Sequence, residues 1–258
     1  MIDVMNLLSL GACSTLRVGI GVSSDMLADT KSRLSSSGSK MRLVGFEDSG
    51  DLIHALKHGE IDVAVRGTLS SSNVLQQLKD EFRLKEVMRV VIIEDFRGRR
   101  FLLAPVGIDE GNDYQSRLRL AKTTVEYFSR IGWTLKIAVL SKGRSEDANR
   151  GAAIKASLDE GEMLADDLRS DGMNAKHYAI LIEDAVKDCD LVIAPDGASG
   201  NLIFRSLHFV GGAKAFGAPV VNLDKVFVDT SRAKTDFSGS ILLAAGLAES
   251  RSKSAERA

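Results

Sequence analysis

Cysteine is scarce in this chain: Cys13 and Cys189 are two in 258 residues. They lack metal-ligand spacing and are too few for a disulfide framework, so reduced, structural thiols are expected. Charge of one sign is missing too. Thirty-four Lys plus Arg against thirty-five Asp plus Glu leave a formal charge of -1, which gives no general pull toward nucleic acid or another polyanion. Polar residues interrupt every apolar run. The opening MIDVMNLLSLGACSTL has Asp3 but no basic lead, and is a poor signal peptide too short to span a bilayer. The expectation is a soluble, cytoplasmic protein with no nucleic-acid or membrane partner. No repeat recurs at a period of about 20 to 50 residues, which argues against a solenoid.

What is present is an alternation. Apolar, β-branched segments such as RVGIGV (17–22), MRLVGF (41–46), residues 61–65, LKIAVLS (135–141) and DLVIAPD (190–196) read as strands, and amphipathic segments between them read as helices. A helix is expected from Ser49 or Asp51 to His58, stopped by Gly59, and another across SRLRLAKTTVEYFSRIG with Leu118, Val125 and Phe128 on its stripe. The class is therefore α/β with mostly parallel sheets. VMRVVII and RRFLLAPVGI, separated by EDFRG, read as a hairpin turned at Gly98 and a candidate crossover between domains. Tyr178 to Val186 reads as a short helix, GNLIFRSLHFVGGAKAFG as a longer one, and SGSILLAAGLAES as the last. The segment 249–258 reads as a fraying terminus or the polar end of a helix.

Chemistry-bearing residues collect where strands end. Arg66, Thr68 and the serines 70–72, Ser71 among them, follow one strand; Lys142, Arg144 and Ser145 follow a second. Asp196, Ser199, Gly200 and Asn201 follow a third, and Ser231, Arg232 and Asp236 a fourth. Guanidinium, ammonium and hydroxyl groups together suit a small anion or a phosphoryl ester, against the alternative that βα loops are simply polar. Neither GxGxxG after a first strand nor GxxxxGK[ST] occurs, so no dinucleotide or Walker phosphate loop is expected. His54 and His58 stand four apart with Glu60 and Asp62 near, but a zinc site needs a third ligand and HExxH is absent; no metal is expected. His177 and His208 read as caps or surface residues, and Trp133 as a packing aromatic.

The C-terminal block DLVIAPDGASGNLIFRSLHFVGGAKAFGAPVVNLDKVFVDTSRAKTDFSGSILLAAGLA resembles the phosphate acetyltransferase and butyryltransferase family, in its glycine-asparagine helix entry and its later serine-arginine pair. GEIDVAVRGTLSSSNVLQQL and RLRLAKTTVEYFSRIGWTLKIAVLSKGRSED are similar to earlier parts of that family, in order, over residues 45 to 247. The resemblance implies a two-domain α/β fold shared with the isocitrate and isopropylmalate dehydrogenases, an interdomain cleft and a homodimer. Residues 1–87 with 219–258 would form the first domain and 88–218 the second. It implies coenzyme A and an acyl phosphate as ligands. Ser231 would then stabilise an oxyanion, Arg232 hold the phosphate or polarise the carbonyl, and Asp236 act as base, although the family's aspartate lies a little farther beyond the arginine. The remaining strand-end residues, from Arg66 to Asn201, would line the ligand site. RGTLSSSNVL and the short N-terminus are similar to a narrower family of methanogenesis marker proteins, archaeal, methyltransferase-associated and without a settled reaction. That likeness implies either a transferase acting on a phosphorylated compound or an accessory subunit with a methyltransferase partner.

Overall fold

The structure is a computed structural model describing residues 2–36, 38–232 and 234–255. The chain begins with α1 (Val4–Ala12), β1 (Arg17–Gly21), α2 (Ser24–Ser36), β2 (Arg42–Phe46), α3 (Ser49–His58), β3 (Val63–Val65) and α4 (Ser71–Phe82). It continues through β4 (Val91–Glu94), β5 (Arg100–Ala104), α5 (Tyr114–Ser129), β6 (Lys136–Val139), α6 (Ala152–Ser170), β7 (Asn174–His177), α7 (Ile182–Asp188), β8 (Leu191–Ile193) and α8 (Gly197–Arg205). A π-helical turn, Ser206–Val210, leads to β9 (Lys214–Pro219), β10 (Val226–Asp229) and α9 (Ser238–Ala255). Two compact units result: one holds Asp3–Val87 and the chain from Phe216 onward, the other Ile2 and Met88–Ala215.

In the discontinuous unit the strands run β2-β1-β3-β10-β9; the first four are parallel and β9 is antiparallel to β10. β1, β3 and β10 are short apolar runs buried almost throughout, the pattern of strands covered on both faces. Leu52, Ile53 and Leu56 of α3 and Val74 and Leu78 of α4 close one core with Ile61 and Phe227. α1 and α9 cross at contact distance. A Cβ on Gly11 would lie 2.0 Å from the Leu242 carbonyl oxygen, and one on Gly246 1.9 Å from that of Leu7. Only glycine permits this approach.

In the continuous unit the order is β4-β5-β8-β6-β7. β4 and β5 form the expected hairpin, turned at Gly98 with φ 79°; the other pairs are parallel. Trp133 is buried and stacks on Phe128 with ring centroids 5.1 Å apart. Two expectations are corrected and one strand is added. The helix across GNLIFRSLHFVGGAKAFG stops at the π-helical turn, and Lys214–Pro219 is strand β9. Residues 174–177, to which the sequence assigned no element, form β7. On α5, Leu118 and Val125 are half-buried, and the buried stripe carries Leu120, Ala121, Thr124 and Phe128. α9 extends the last helix to Ala255, and residues 256–258 of the anticipated tail lie outside the described residues. Among the described residues no helix is long and apolar enough to cross a membrane.

Candidate functional site

β3 and β10 pair in parallel with Val65 opposite Val228, so the loops that follow them leave side by side. Arg66 is buried and its Nε donates to Oδ1 of buried Asp229; its Nη1 donates to the Leu69 carbonyl at 2.8 Å. Thr230 closes the same joint, its Oγ1 donating to the Gly67 carbonyl at 3.0 Å and its N–H to Asp229 Oδ1 at 2.8 Å. Arg66 thus ties two strand ends together. Thr68 donates its N–H to the Gly21 carbonyl at 2.8 Å, and Ser71 is the half-buried first residue of α4.

Beyond this joint, Ser231 is half-buried and Arg232 exposed. The Ser231 carbonyl accepts from Lys234 N–H at 3.1 Å, which turns the chain back. Lys234 then points its ammonium at Ser240 Oγ, 2.9 Å away, and that hydroxyl donates to the Phe216 carbonyl at 2.7 Å. Burial pushes the Lys234 ammonium down to about 8, against a weaker opposing pull from Asp236. Asp236 lies before α9, where its Oδ1 accepts from Ser238 N–H at 2.9 Å. Burial works to raise its pKa, but the bonds from Ser238 and the charges of Arg33 and Lys234 prevail and hold it below the ordinary value. A carboxylate so stabilised is a poor proton acceptor, whereas an amine near 8 exchanges protons readily at neutral pH. Sequence reasoning passed over Lys234 because its burial depends on α9 and β9.

The continuous unit carries a second cluster. β6 and β8 pair with Val139 opposite Ile193, and Lys142 Nζ meets Asp196 Oδ2 at 2.8 Å. Asp196 also caps α8, its Oδ1 accepting from Ser199 N–H at 2.7 Å. Burial opposes ionisation, yet the bonds from Lys142 and Ser199 bring Asp196 down to about 2. Asn201 donates Nδ2 to the Val106 carbonyl at 2.8 Å. Gly200 lets α8 press on the chain beyond β5: a Cβ there would stand 1.9 Å from the Pro105 carbonyl oxygen. Arg144 is exposed, with its N–H on Asp147 Oδ2 at 2.9 Å.

Behind Lys142 runs a chain that the sequence did not reveal. Ser141 Oγ lies 2.9 Å from His177 Nε2, and His177 Nδ1 lies 3.1 Å from Glu162 Oε2. Ser141 is buried, so this chain anchors the start of the Lys142 loop. His208 bonds the Ala213 carbonyl through Nδ1 at 2.8 Å, closing the turn into β9.

These loops can be set beside known proteins. No family model matches the chain. The "Putative methyltransferase mtx subunit X" of Methanosarcina barkeri is 39% identical over 229 residues, which cover 88% of this chain and 84% of that one. The chain belongs to the mtx subunit X family. A Methanocaldococcus jannaschii relative described as an uncharacterized methyltransferase is 32% identical across 83% of this chain and 89% of its own length. Among solved structures, a phosphotransacetylase from Streptococcus pyogenes aligns at a TM-score of 0.69 with 14% identity, over 98% of this chain and all of its own. A branched-chain phosphotransacylase from Enterococcus faecalis aligns at 0.67 with 19% identity, over 90% and 99%. The chain is thus related in sequence to archaeal methyltransferase-described proteins and has a phosphotransacetylase-like α/β fold.

Proposed function

We propose that this chain is a subunit of a methyl-transfer system that holds a small phosphorylated or otherwise anionic compound at Ser231 and Arg232. The observation that carries this is the loop beyond β10. Arg66 is committed to Asp229, while Arg232 stands exposed next to the half-buried Ser231 hydroxyl, as anion binding by a guanidinium requires. The methyl-transfer part is supported by the relatives' description as subunit X of a methyltransferase. Lys142 and the capped start of α8 form a further polar cluster in the other unit.

A second reading is transfer of an acyl group between an acyl phosphate and coenzyme A, favoured by the solved structures of this fold and by Lys234. In it the thiol loses its proton to neutral Lys234, sulfur bonds the acyl carbon, and the carbon–oxygen bond to phosphate breaks. Arg232 balances the charge on the departing phosphate. One pair of assays separates the two. Inorganic phosphate is expected to raise the unfolding temperature of the wild type and not of Arg232→Ala, with no coenzyme A-dependent exchange between acyl phosphates and thioesters. Exchange that disappears in Arg232→Ala would establish the acyltransferase instead. Absence of any phosphate effect would remove the anion site. The subunit role is checked by tagging the chain in its native host: co-purification with methyl-transfer activity is expected, and recovery without it overturns that part.

A further inference from the structure

The C-terminal half of α3 and the last turn of α4 bring together the one group of three His, Cys, Asp or Glu side chains, among the described residues, whose ligand atoms all lie within 4.8 Å of one another: His54, His58 and Glu81. The two histidines are i and i+4 on α3, and their ring centroids are 4.2 Å apart. Both are exposed and Glu81 is half-buried. Asp62, near in sequence, is taken by Arg17, whose Nη2 donates to Oδ1 at 2.6 Å and whose N–H donates to Oδ2 at 2.7 Å. The third ligand that the sequence lacked comes from another helix.

The backbone below these side chains is fixed. Asp48 caps the start of α3, accepting from Gly50 and Asp51 N–H at 2.6 and 3.1 Å, and Gly59 closes its end in the left-handed conformation with φ 74°. Leu52, Ile53 and Leu56 of α3 and Val74 and Leu78 of α4 are fully buried in one core. The cluster is therefore set on two anchored helices. Bonds of about 2.0 to 2.1 Å in a tetrahedral site place ligand atoms about 3.3 Å apart. The ligand atoms already lie within 4.8 Å of one another, so the remaining approach falls to rotation of two exposed imidazoles and a half-buried carboxylate.

We propose that His54, His58 and Glu81 bind one divalent transition-metal ion of the zinc type. Two imidazoles and one carboxylate suit Zn2+ or Co2+, whereas Mg2+ and Ca2+ prefer oxygen ligands throughout. Three protein ligands leave a position for water or a substrate oxygen. Lys57 is the built-in competitor, its ammonium 3.1 Å from Glu81 Oε2; an arriving cation displaces it from the carboxylate.

The full-length protein titrated with Co2+, read by visible d–d absorption and then displaced by Zn2+, tests this. One equivalent is expected to saturate the wild type. His54→Ala, His58→Ala and Glu81→Gln are each expected to weaken binding by more than about tenfold, since even an outer-shell change costs about 10- to 100-fold. Lys57→Gln is expected to tighten it. Far-UV circular dichroism confirms that these surface variants fold. Absence of saturable binding, or equal affinity in wild type and all three ligand variants, overturns the site.

Discussion

Arg66 and Arg232 both follow a strand, yet they have different work. Removing the Arg66 side chain takes the counter-charge from the buried Asp229 carboxylate, which keeps the Thr230 N–H, and breaking such a buried ion pair costs about 3 to 5 kcal/mol. Arg66→Ala should therefore shift the urea midpoint strongly. Arg232→Ala, at an exposed position, should change stability by no more than about 0.5 kcal/mol while abolishing any phosphate-dependent stabilisation. Sequence showed that both arginines stand at strand ends but not that Asp229, 163 positions from Arg66, would claim one of them. Lys234 gives a pH test. Its folded value of about 8 lies below the ordinary 10.5, so below pH 8 the folded state carries the cost of a partly buried charge. Relief grows from pH 8 to 10.5 and is complete above it. Unfolding free energy of the wild type relative to Lys234→Met should rise over that window; a flat difference would show an unperturbed amine.

At the scale of the element, α8 depends on close approach. Gly200→Ala places a Cβ 1.9 Å from the Pro105 carbonyl oxygen; α8 must shift, at a cost of about 1 to 3 kcal/mol. Gly239→Ala, within α9 and with nothing within 4 Å of the added Cβ, is the matched control and should be neutral or slightly stabilising by thermal unfolding. The cap is testable by acid. Asp196 is held at about 2 against an ordinary 3.8, so its contribution is present above 3.8 and lost as pH falls through 2. Asp196→Ala should forfeit about 1 kcal/mol at neutral pH, and the wild-type-minus-variant difference in unfolding free energy should shrink as pH falls from 3.8 through 2.

Elements with strong periodicity were legible: α3 and α4, the β4–β5 hairpin and the buried strands were expected close to where they lie. β7 was not, because NAKH carries only one buried side chain and occupies a sheet edge with a single neighbour. β9 was hidden because AKAFG prolongs an apparent helix whose end is set by the π-helical turn at 206–210. Its strand identity comes from pairing with β10, a tertiary fact.

For the whole molecule, the relatives in sequence are archaeal proteins described as methyltransferases, the likeness to phosphotransacetylases is one of fold alone, and the loop beyond β10 is where the two proposed readings can be separated. The order of polar segments along the chain carried the family likeness, while the partners of each side chain came only from the folded structure. The pairing of β3 with β10 also has a temporal side. A ribosome releases β1, β2 and β3 long before β10, with residues 88–215 between them. Until β10 arrives, one edge of β3 lacks its strand, and the Gly11 face of α1 lacks the helix that packs on it. The continuous unit can fold as it emerges; the discontinuous one must wait for α9, and its late assembly spans a large sequence separation. The nascent chain thus passes through an interval in which the open edge of β3 and the uncovered face of α1, both within the first 87 residues, are what a holding chaperone would meet.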